Sequence, residues 1–341
     1  MEAVSMIGDG AKSCTLLVRF EKRYPVVVAG LKSDLKYGDA TTKARALKRA
    51  ISLVVNGDTP DFRDLPAIVV RFVLPCEDLT VQKLVLLYLE TVYKGVDVFG
   101  RVPPDAALVR DYLRKNLKHG DEYIRGITLS FLSRLKGNSD LLDRLVVESV
   151  LVNLYHRHGF VRRHAYSAAF AIYLWLPSGH QLLPDLLERV EHELPYERDA
   201  AATRNALFML CFYARERAVA YLLANGDGVV DKWPGTVQML AISLMRRACQ
   251  CCYLSKKKRK KRNRFIKIIM SILSTCSDSN AAVIYEGAGA LVSLCSKPVE
   301  VRAAADAYYR LLCSSSDKDV ESTVLDRLDE LRISHSDVMN L

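Results

Sequence analysis

A faint repeat, a turn followed by a helix of the pattern V-R-x-x-A, recurs about every forty residues along this chain. It is carried by Thr42-Lys43-Ala44-Arg45-Ala46, Val81-Gln82-Lys83-Leu84-Val85, Ile124-Arg125-Gly126-Ile127-Thr128 and Val161-Arg162-Arg163-His164-Ala165. Three weaker copies follow at Ala202-Thr203-Arg204-Asn205-Ala206, Ile284-Tyr285-Glu286-Gly287-Ala288 and Val320-Glu321-Ser322-Thr323-Val324. With the second residue of each as anchor, the steps are 39, 43, 37, 41, 82 and 36 residues, and the long one reads as two steps of 41. That period belongs to helix-pair repeats, in which no unit buries its apolar face alone and neighbours must stack. The expected fold is all-α, a right-handed α-solenoid of HEAT/armadillo-like helix pairs. Such an architecture supplies surface for partners rather than a catalytic pocket.

Composition fits a folded chain, with 50% hydrophobic and 26% charged residues. The net charge of +10 is local in origin. Eight of the 49 basic residues lie between Lys256 and Arg264, leaving 41 against 39 acidic ones. A nucleic-acid-binding face is therefore not indicated. Nine cysteines are scattered without a paired C-x-x-C framework, as in a reduced cytosolic protein. The start of the chain lacks a signal peptide's basic and apolar regions, and no apolar run reaches membrane-spanning length. Membrane contact, if any, is expected to be peripheral.

Between the turns, apolar residues recur at helical spacing. Ile124, Ile127, Phe131, Leu132 and Leu135 share one face of 123–135, and Val320, Val324, Leu325, Leu328 and Leu331 share one face of 317–331. Segment 81–92 is apolar nearly all round, as expected of an inner helix. Prolines fall between the periodic segments, and the β-branched Pro25-Val26-Val27-Val28 is too short to carry a sheet. Residues 1–30 match no repeat and form an N-terminal lead-in, expected to be partly ordered. The repeat trunk takes up 31–341, with a basic loop at 255–264. The last periodic helix has no polar capping repeat after it, as in the front part of a longer array or a subunit whose end a partner covers.

Several stretches resemble the N-terminal trunk of the coatomer β-subunit family. They include Ala46-Leu47-Lys48-Arg49-Ala50-Ile51 with Asn56-Gly57, Val70-Arg71-Phe72-Val73-Leu74-Pro75, Tyr112-Leu113-Arg114-Lys115 and Glu122-Tyr123-Ile124-Arg125-Gly126. His156-Arg157-His158, Val161-Arg162-Arg163-His164-Ala165, Arg204-Asn205-Ala206, Tyr285-Glu286-Gly287-Ala288-Gly289 and Val324-Leu325-Asp326-Arg327-Leu328 continue the series, which covers about residues 31–335 in order. The resemblance implies a structural and adaptor subunit of the COPI vesicle coat, acting in Golgi-to-ER and intra-Golgi transport. It would be cytoplasmic and recruited peripherally to Golgi membranes and COPI-coated vesicles by an Arf-type small GTPase in its GTP form. Implied partners are a δ-type subunit, the γ/ζ pair and the α/β′/ε subcomplex. The family's subunit is longer than this chain, with more trunk, a linker and an appendage. No catalytic, cofactor-binding or metal site is implied. The alternative from another class is a karyopherin-like nuclear-transport solenoid, which shares the repeat period and suits the basic run. Karyopherins bind basic cargo on acidic inner faces, whereas this chain has no acidic excess, so the family-specific runs favour the coat.

Candidate contact residues follow from two segments. Across 104–118 the periodicity turns Leu108, Val109, Tyr112, Leu113 and Leu117 inward and leaves Ala107, Arg110 and Arg114 as an outward row. In related adaptin β chains, aligned through Ile124-Arg125, the positions of Ala107 and Arg110 are apolar and face the GTPase, so this row is the candidate GTPase contact. The run Lys256, Lys257, Lys258, Arg259, Lys260, Lys261, Arg262 and Arg264 is a candidate contact with an anionic membrane leaflet. A nuclear localisation signal and a solvated loop are its other readings, and the family's loop here is less basic.

Cys249, Cys251 and Cys252 beside that run resemble a palmitoylation site, though cysteines on repeat helices are usually small buried hydrophobes. His156, His158 and His164 lie in a turn with no carboxylate or cysteine completing a metal set. Arg125, Arg162 and Arg163 are expected to tie repeats together while turn carboxylates such as Asp121 cap helices. Gly226-Asp227-Gly228 and Gly287-Ala288-Gly289 lack the features of a phosphate loop.

Overall fold

The computed structural model describes residues 28–56, 64–94, 106–135, 141–176, 179–226, 230–250, 256–277 and 280–336. Most of the lead-in lies outside them, as do Pro25, Val26, Val27, Cys251 and Cys252. Among the described residues every regular element is helical. The chain divides into two compact units, Met1–Ser149 and Val150–Leu341.

The first unit contains α1 (Val28–Tyr37), α2 (Ala40–Asn56), α3 (Leu65–Ile68), α4 (Leu79–Lys94), α5 (Ala106–Leu117) and α6 (Glu122–Arg134). Helix α3 runs directly into one π-helical turn, Val69–Val73, closed by Leu74 N–H donating to the Val69 carbonyl at 2.9 Å. Packing is pairwise: α1 lies on α2 and α5 on α6, while α2, α4 and α6 stack in succession. Helix α4 is the inner element expected of it. Val81, Leu84, Val85, Leu86, Tyr88 and Leu89 are all buried, and burial of each large side chain is worth roughly 1.5–3 kcal/mol. The buried Glu90 meets Arg134 of α6 at 2.9 Å.

Helix α7 (Arg144–Asn153) spans the division between the units. The second unit holds α8 (Gly159–Trp175), α9 (Gly179–Leu182), α10 (Leu186–Glu193), α11 (Ala200–Tyr213), α12 (Arg215–Asn225) and α13 (Gly235–Gln250). Helices α14 (Lys256–Thr275), α15 (Ala281–Leu294), α16 (Pro298–Ser314) and α17 (Lys318–Ser334) complete it. Here α8, α11, α13 and α15 stack in succession, with α12, α14 and α16 packed alongside. Gly287 lets α14 and α15 approach closely, since a Cβ there would stand 2.8 Å from a Leu273 methyl.

The repeat marks one structural position. Most anchor helices open on a side-chain cap: Asp39 accepts from the Thr42 N–H at 2.8 Å, Asp78 from Thr80 at 2.9 Å, Asp121 from Tyr123 at 2.8 Å and Asp199 from Ala202 at 2.9 Å, whereas Asn280 before α15 makes no such bond. Such caps are worth about 1 kcal/mol each. At several anchors the side chain then turns back to the carbonyls that close the preceding helix. Gln82 donates to Leu74 and Cys76, Arg125 to Lys118 and His119, and Arg162 to His156 and Arg157. These carbonyls lie just past the ends of the preceding elements, where the helical ladder has stopped, and the anchor side chain supplies them with a donor. Gln238 does the same for Val230 at 3.2 Å and is thus the copy missing from the sequence pattern. The long step is therefore not two equal ones. Its second part is longer because it includes the basic stretch.

Three expectations are corrected. The stretch 255–264 is not a loop from Lys256 onward: it forms the opening turns of α14. Lysine and arginine are good helix formers, and the buried stripe Phe265, Ile266, Ile268, Ile269, Ile272 and Leu273 nucleates a helix that the basic residues extend backwards. Leu325 does not share the buried face of α17. It is exposed while Val324, Leu328 and Leu331 are buried, so that helix presents a narrower apolar stripe. Leu108, the third, is described with its surroundings below.

Candidate interaction surfaces

Helix α5 buries Val109, Tyr112, Leu113, Asn116 and Leu117 against its own unit. Ala107 is exposed as expected, but Leu108 is not turned inward: 44% of it is exposed. It borders a cleft of about 420 Å³ lined by α5, the π-helical turn and α4. At the cleft's floor Gln82 receives hydrogen bonds from the Tyr112 hydroxyl and, at 3.4 Å, from the Asn116 amide. Burial pushes the Tyr112 phenol well above its ordinary range, so it stays a neutral donor at all physiological pH. Leu108 stands at the margin of the buried face because it shares its helical row with the exposed Asp111 and Lys115, at i+3 and i+7.

The two arginines of the α5 row are half-buried and engaged. Arg110 lies 3.7 Å from Asp143, and Arg114 pairs with Asp111 one turn earlier. Their charges are largely balanced locally.

Helix α14 differs. Arg259, Lys260, Arg262, Arg264 and Lys267 are exposed, and its first turn holds no acidic residue. Lys261 is half-buried with its Nζ 5.9 Å from the centre of the Phe265 ring. Among the described residues Arg259, Lys260, Arg262 and Lys267 have no carboxylate partner. Of the neighbouring cysteines, Cys249 is half-buried near the end of α13.

Of the three arginines expected to tie adjacent repeats together, Arg162 does so and the other two act more locally. Arg162 joins adjacent repeats through a two-pronged pair with Glu197 at 2.8 and 2.6 Å, where the carboxylate is only 2% exposed and also accepts from the Arg198 and Asp199 N–H groups. Arg125 instead ties the two helices of one pair, and Arg163 lies over the Phe160 ring at 4.8 Å. His158 caps α8 by accepting from the Phe160 N–H at 3.3 Å, and His156 accepts from the His158 N–H at 3.1 Å. Among the described residues no group of side chains is arranged to hold a metal ion. None of the helices is long and apolar enough to cross a membrane, again among the described residues.

Sequence periodicity alone missed an exposed aromatic cluster. Phe208 and Phe212 of α11 are 41% and 57% exposed, with Phe170 of α8 5.4 and 5.5 Å away. Their spacing of four on one helix was the available signal, and it belongs to the outer face.

Comparison with known proteins places these features in a family. The model of the adaptin N terminal region matches residues 25–341. Coatomer subunit β-1 of Oryza sativa subsp. japonica is 52% identical over 328 residues, which are 96% of this chain and 33% of that protein. Coatomer subunit β-1 of Arabidopsis thaliana is 47% identical over the same share of each. Coatomer subunit β of Dictyostelium discoideum is 36% identical over 342 residues, 99% of this chain and 35% of its own length. Among solved structures, a designed armadillo repeat protein gives a TM-score of 0.31 at 14% identity, over 89% of this chain and 98% of that one. The chain thus spans about a third of the length of these coatomer relatives. Matched over nearly its whole length, it belongs to the adaptin N-terminal family, and within that family it is similar to coatomer β subunits from plants to Dictyostelium discoideum.

Proposed function

We infer that this chain provides the trunk of a β-type subunit of the COPI vesicle coat, a non-catalytic scaffold that binds partners through its helical faces. The observation that carries this reading is the family match over residues 25–341 together with coatomer β relatives aligned over 96% of the chain. Its partners are the other coatomer subunits, a δ-type subunit foremost, with the γ/ζ pair and the α/β′/ε subcomplex in the assembled coat. It resides in the cytoplasm until an Arf-type GTPase in its GTP form recruits the coat to Golgi membranes and budding vesicles.

Helix α5 supplies part of the GTPase contact in this proposal. Ala107 and the exposed Leu108 form its apolar centre, with the paired Arg110 and Arg114 at its edge. An exposed leucine beside a cleft suits insertion against an apolar partner face better than two neutralised arginines do.

Affinity capture of the native protein from cytosol, followed by mass spectrometry, tests the coat reading. Recovery of δ-type and other coatomer subunits is expected. Recovery only with nuclear-transport factors overturns it. For the GTPase contact, Ala107→Asp combined with Leu108→Asp is expected to weaken binding to the GTP-loaded GTPase at least tenfold with the fold intact. Unchanged affinity removes α5 from the interface.

A further inference from the structure

The charge of this chain is concentrated on one helix. Outside Lys256–Arg264 the basic and acidic residues nearly balance, 41 to 39. Inside it, eight basic residues occupy nine positions, and the remaining one is Asn263. Helix α14 is fixed to its unit by the buried stripe that begins at Phe265, so the basic half is held in place while Arg259, Lys260, Arg262 and Arg264 stay exposed. Lys260, Arg264 and Lys267 stand at i, i+4 and i+7 on the exposed face, flanked by Arg259 and Arg262. Four of these five, Arg259, Lys260, Arg262 and Lys267, have no carboxylate partner among the described residues.

Like charges at this density repel one another, and Arg259, Lys260, Arg262 and Lys267 have no carboxylate among the described residues to offset them. A surface that tolerates such a cost without an internal counter-charge is completed by an external one. We propose that the exposed face of α14 is an electrostatic contact for an anionic phospholipid surface.

Three observations favour a bilayer over other polyanions. Five of the eight basic residues are lysines, compact charges on flexible stems that suit diffuse headgroup charge better than fixed two-pronged recognition. The run offers no exposed aromatic ring for base stacking and a single amide, Asn263, for reading base edges. The near-neutral remainder of the chain provides no extended basic track of the kind a nucleic acid backbone follows. The choice of a membrane also rests on the coat reading, which brings the chain to a bilayer. Each basic residue near an anionic leaflet raises partitioning about fivefold, and the attraction fades within a Debye length of about 8 Å at physiological salt. The contact would therefore add to, and not replace, recruitment by a protein partner.

The test is co-sedimentation of the full chain with phosphatidylcholine vesicles and with vesicles containing phosphatidylserine. Alongside it runs a variant carrying Arg259→Gln, Lys260→Gln, Arg262→Gln and Lys267→Gln, its fold checked by circular dichroism. Binding is expected only to the anionic vesicles, weakened at least tenfold by the four substitutions and comparably by raising salt well above physiological strength. Inorganic phosphate should compete no better than chloride at equal ionic strength, because the contact is with a charged surface rather than a phosphate pocket. Stronger competition by phosphate overturns the surface assignment. So does equal binding to both vesicle types, an unaffected variant, or tighter binding to single-stranded RNA than to the anionic vesicles. Capture of coatomer subunits by the same variant separates the two proposals. A variant that assembles while wild-type protein ignores anionic vesicles sinks this inference and spares the coat reading. Lipid binding without assembly does the reverse.

Discussion

Helices α5 and α14 both carry rows of basic residues, yet they use them in opposite ways. On α5, Arg110 and Arg114 are half-buried and answered by Asp143 and Asp111. On α14, Arg259, Lys260 and Arg262 stand in solvent among like charges in the opening turns of the helix, with no acidic residue in the first turn. The first arrangement contributes modestly to the fold. The second is mildly unfavourable to it. Basic residues in a sequence therefore say little until their counter-charges are located, and the place without counter-charges is the one where an outside partner gains most.

Stability measurements sharpen that comparison. The largest effect is expected where a cation is the partner of a buried carboxylate. Arg162→Ala leaves Glu197 desolvated and should cost about 3 kcal/mol or more in urea unfolding of the chain. A loss under about 1 kcal/mol would mean that the Arg198 and Asp199 N–H groups suffice for Glu197. Arg110→Ala, which breaks a half-buried pair, should cost about 0.5–1 kcal/mol and less at high salt. Combining Arg259→Gln, Lys260→Gln and Arg262→Gln should cost nothing, or raise stability by about 0.3 kcal/mol as repulsion is relieved. A clear loss there would reveal counter-charges within the fold and dissolve the contrast.

A further effect appears only at alkaline pH. Burial pushes the Tyr308 phenol up to about 12 from an ordinary value near 10. The folded chain thus holds this proton after the unfolded chain has released it. Its contribution is fully present below pH 10 and is lost as pH rises through about 12. Ultraviolet titration showing Tyr308 ionising near 10 in folded protein, with Tyr308→Phe as the control, would contradict the burial.

Much of the architecture is legible in the residues. The anchors at 82, 125 and 162 mark one structural position because polar side chains there turn back to the end of the preceding helix while an aspartate or histidine caps the next. Where glutamine does that work inside an otherwise apolar stretch, as at Gln238, the pattern of basic residues does not reveal it. Leu108 misleads for another reason. Helical spacing assigns a leucine to the core, but Leu108 shares its row with the exposed Asp111 and Lys115 and falls at the margin of the buried face. For α14, a run of like charge reads as a loop because repulsion is visible locally, whereas the buried stripe that overrides it begins where the run ends. The row at Ala107, Arg110 and Arg114 lies on a surface helix, but helical spacing shows its charges without the aspartates that answer them.

Gly287 extends the reach of the contrast between the two helices. A glycine in the middle of α15 costs the helix about 1 kcal/mol relative to alanine, and what it allows is the close seating of Leu273. Leu273 belongs to the same rigid rod as Lys260, thirteen residues away and so about 20 Å along the axis. Leu273 also closes the buried stripe that begins at Phe265 and clamps the rod to its unit. A larger side chain at position 287 would loosen one end of that clamp, and so weaken the platform that carries the charges without altering a single one of them.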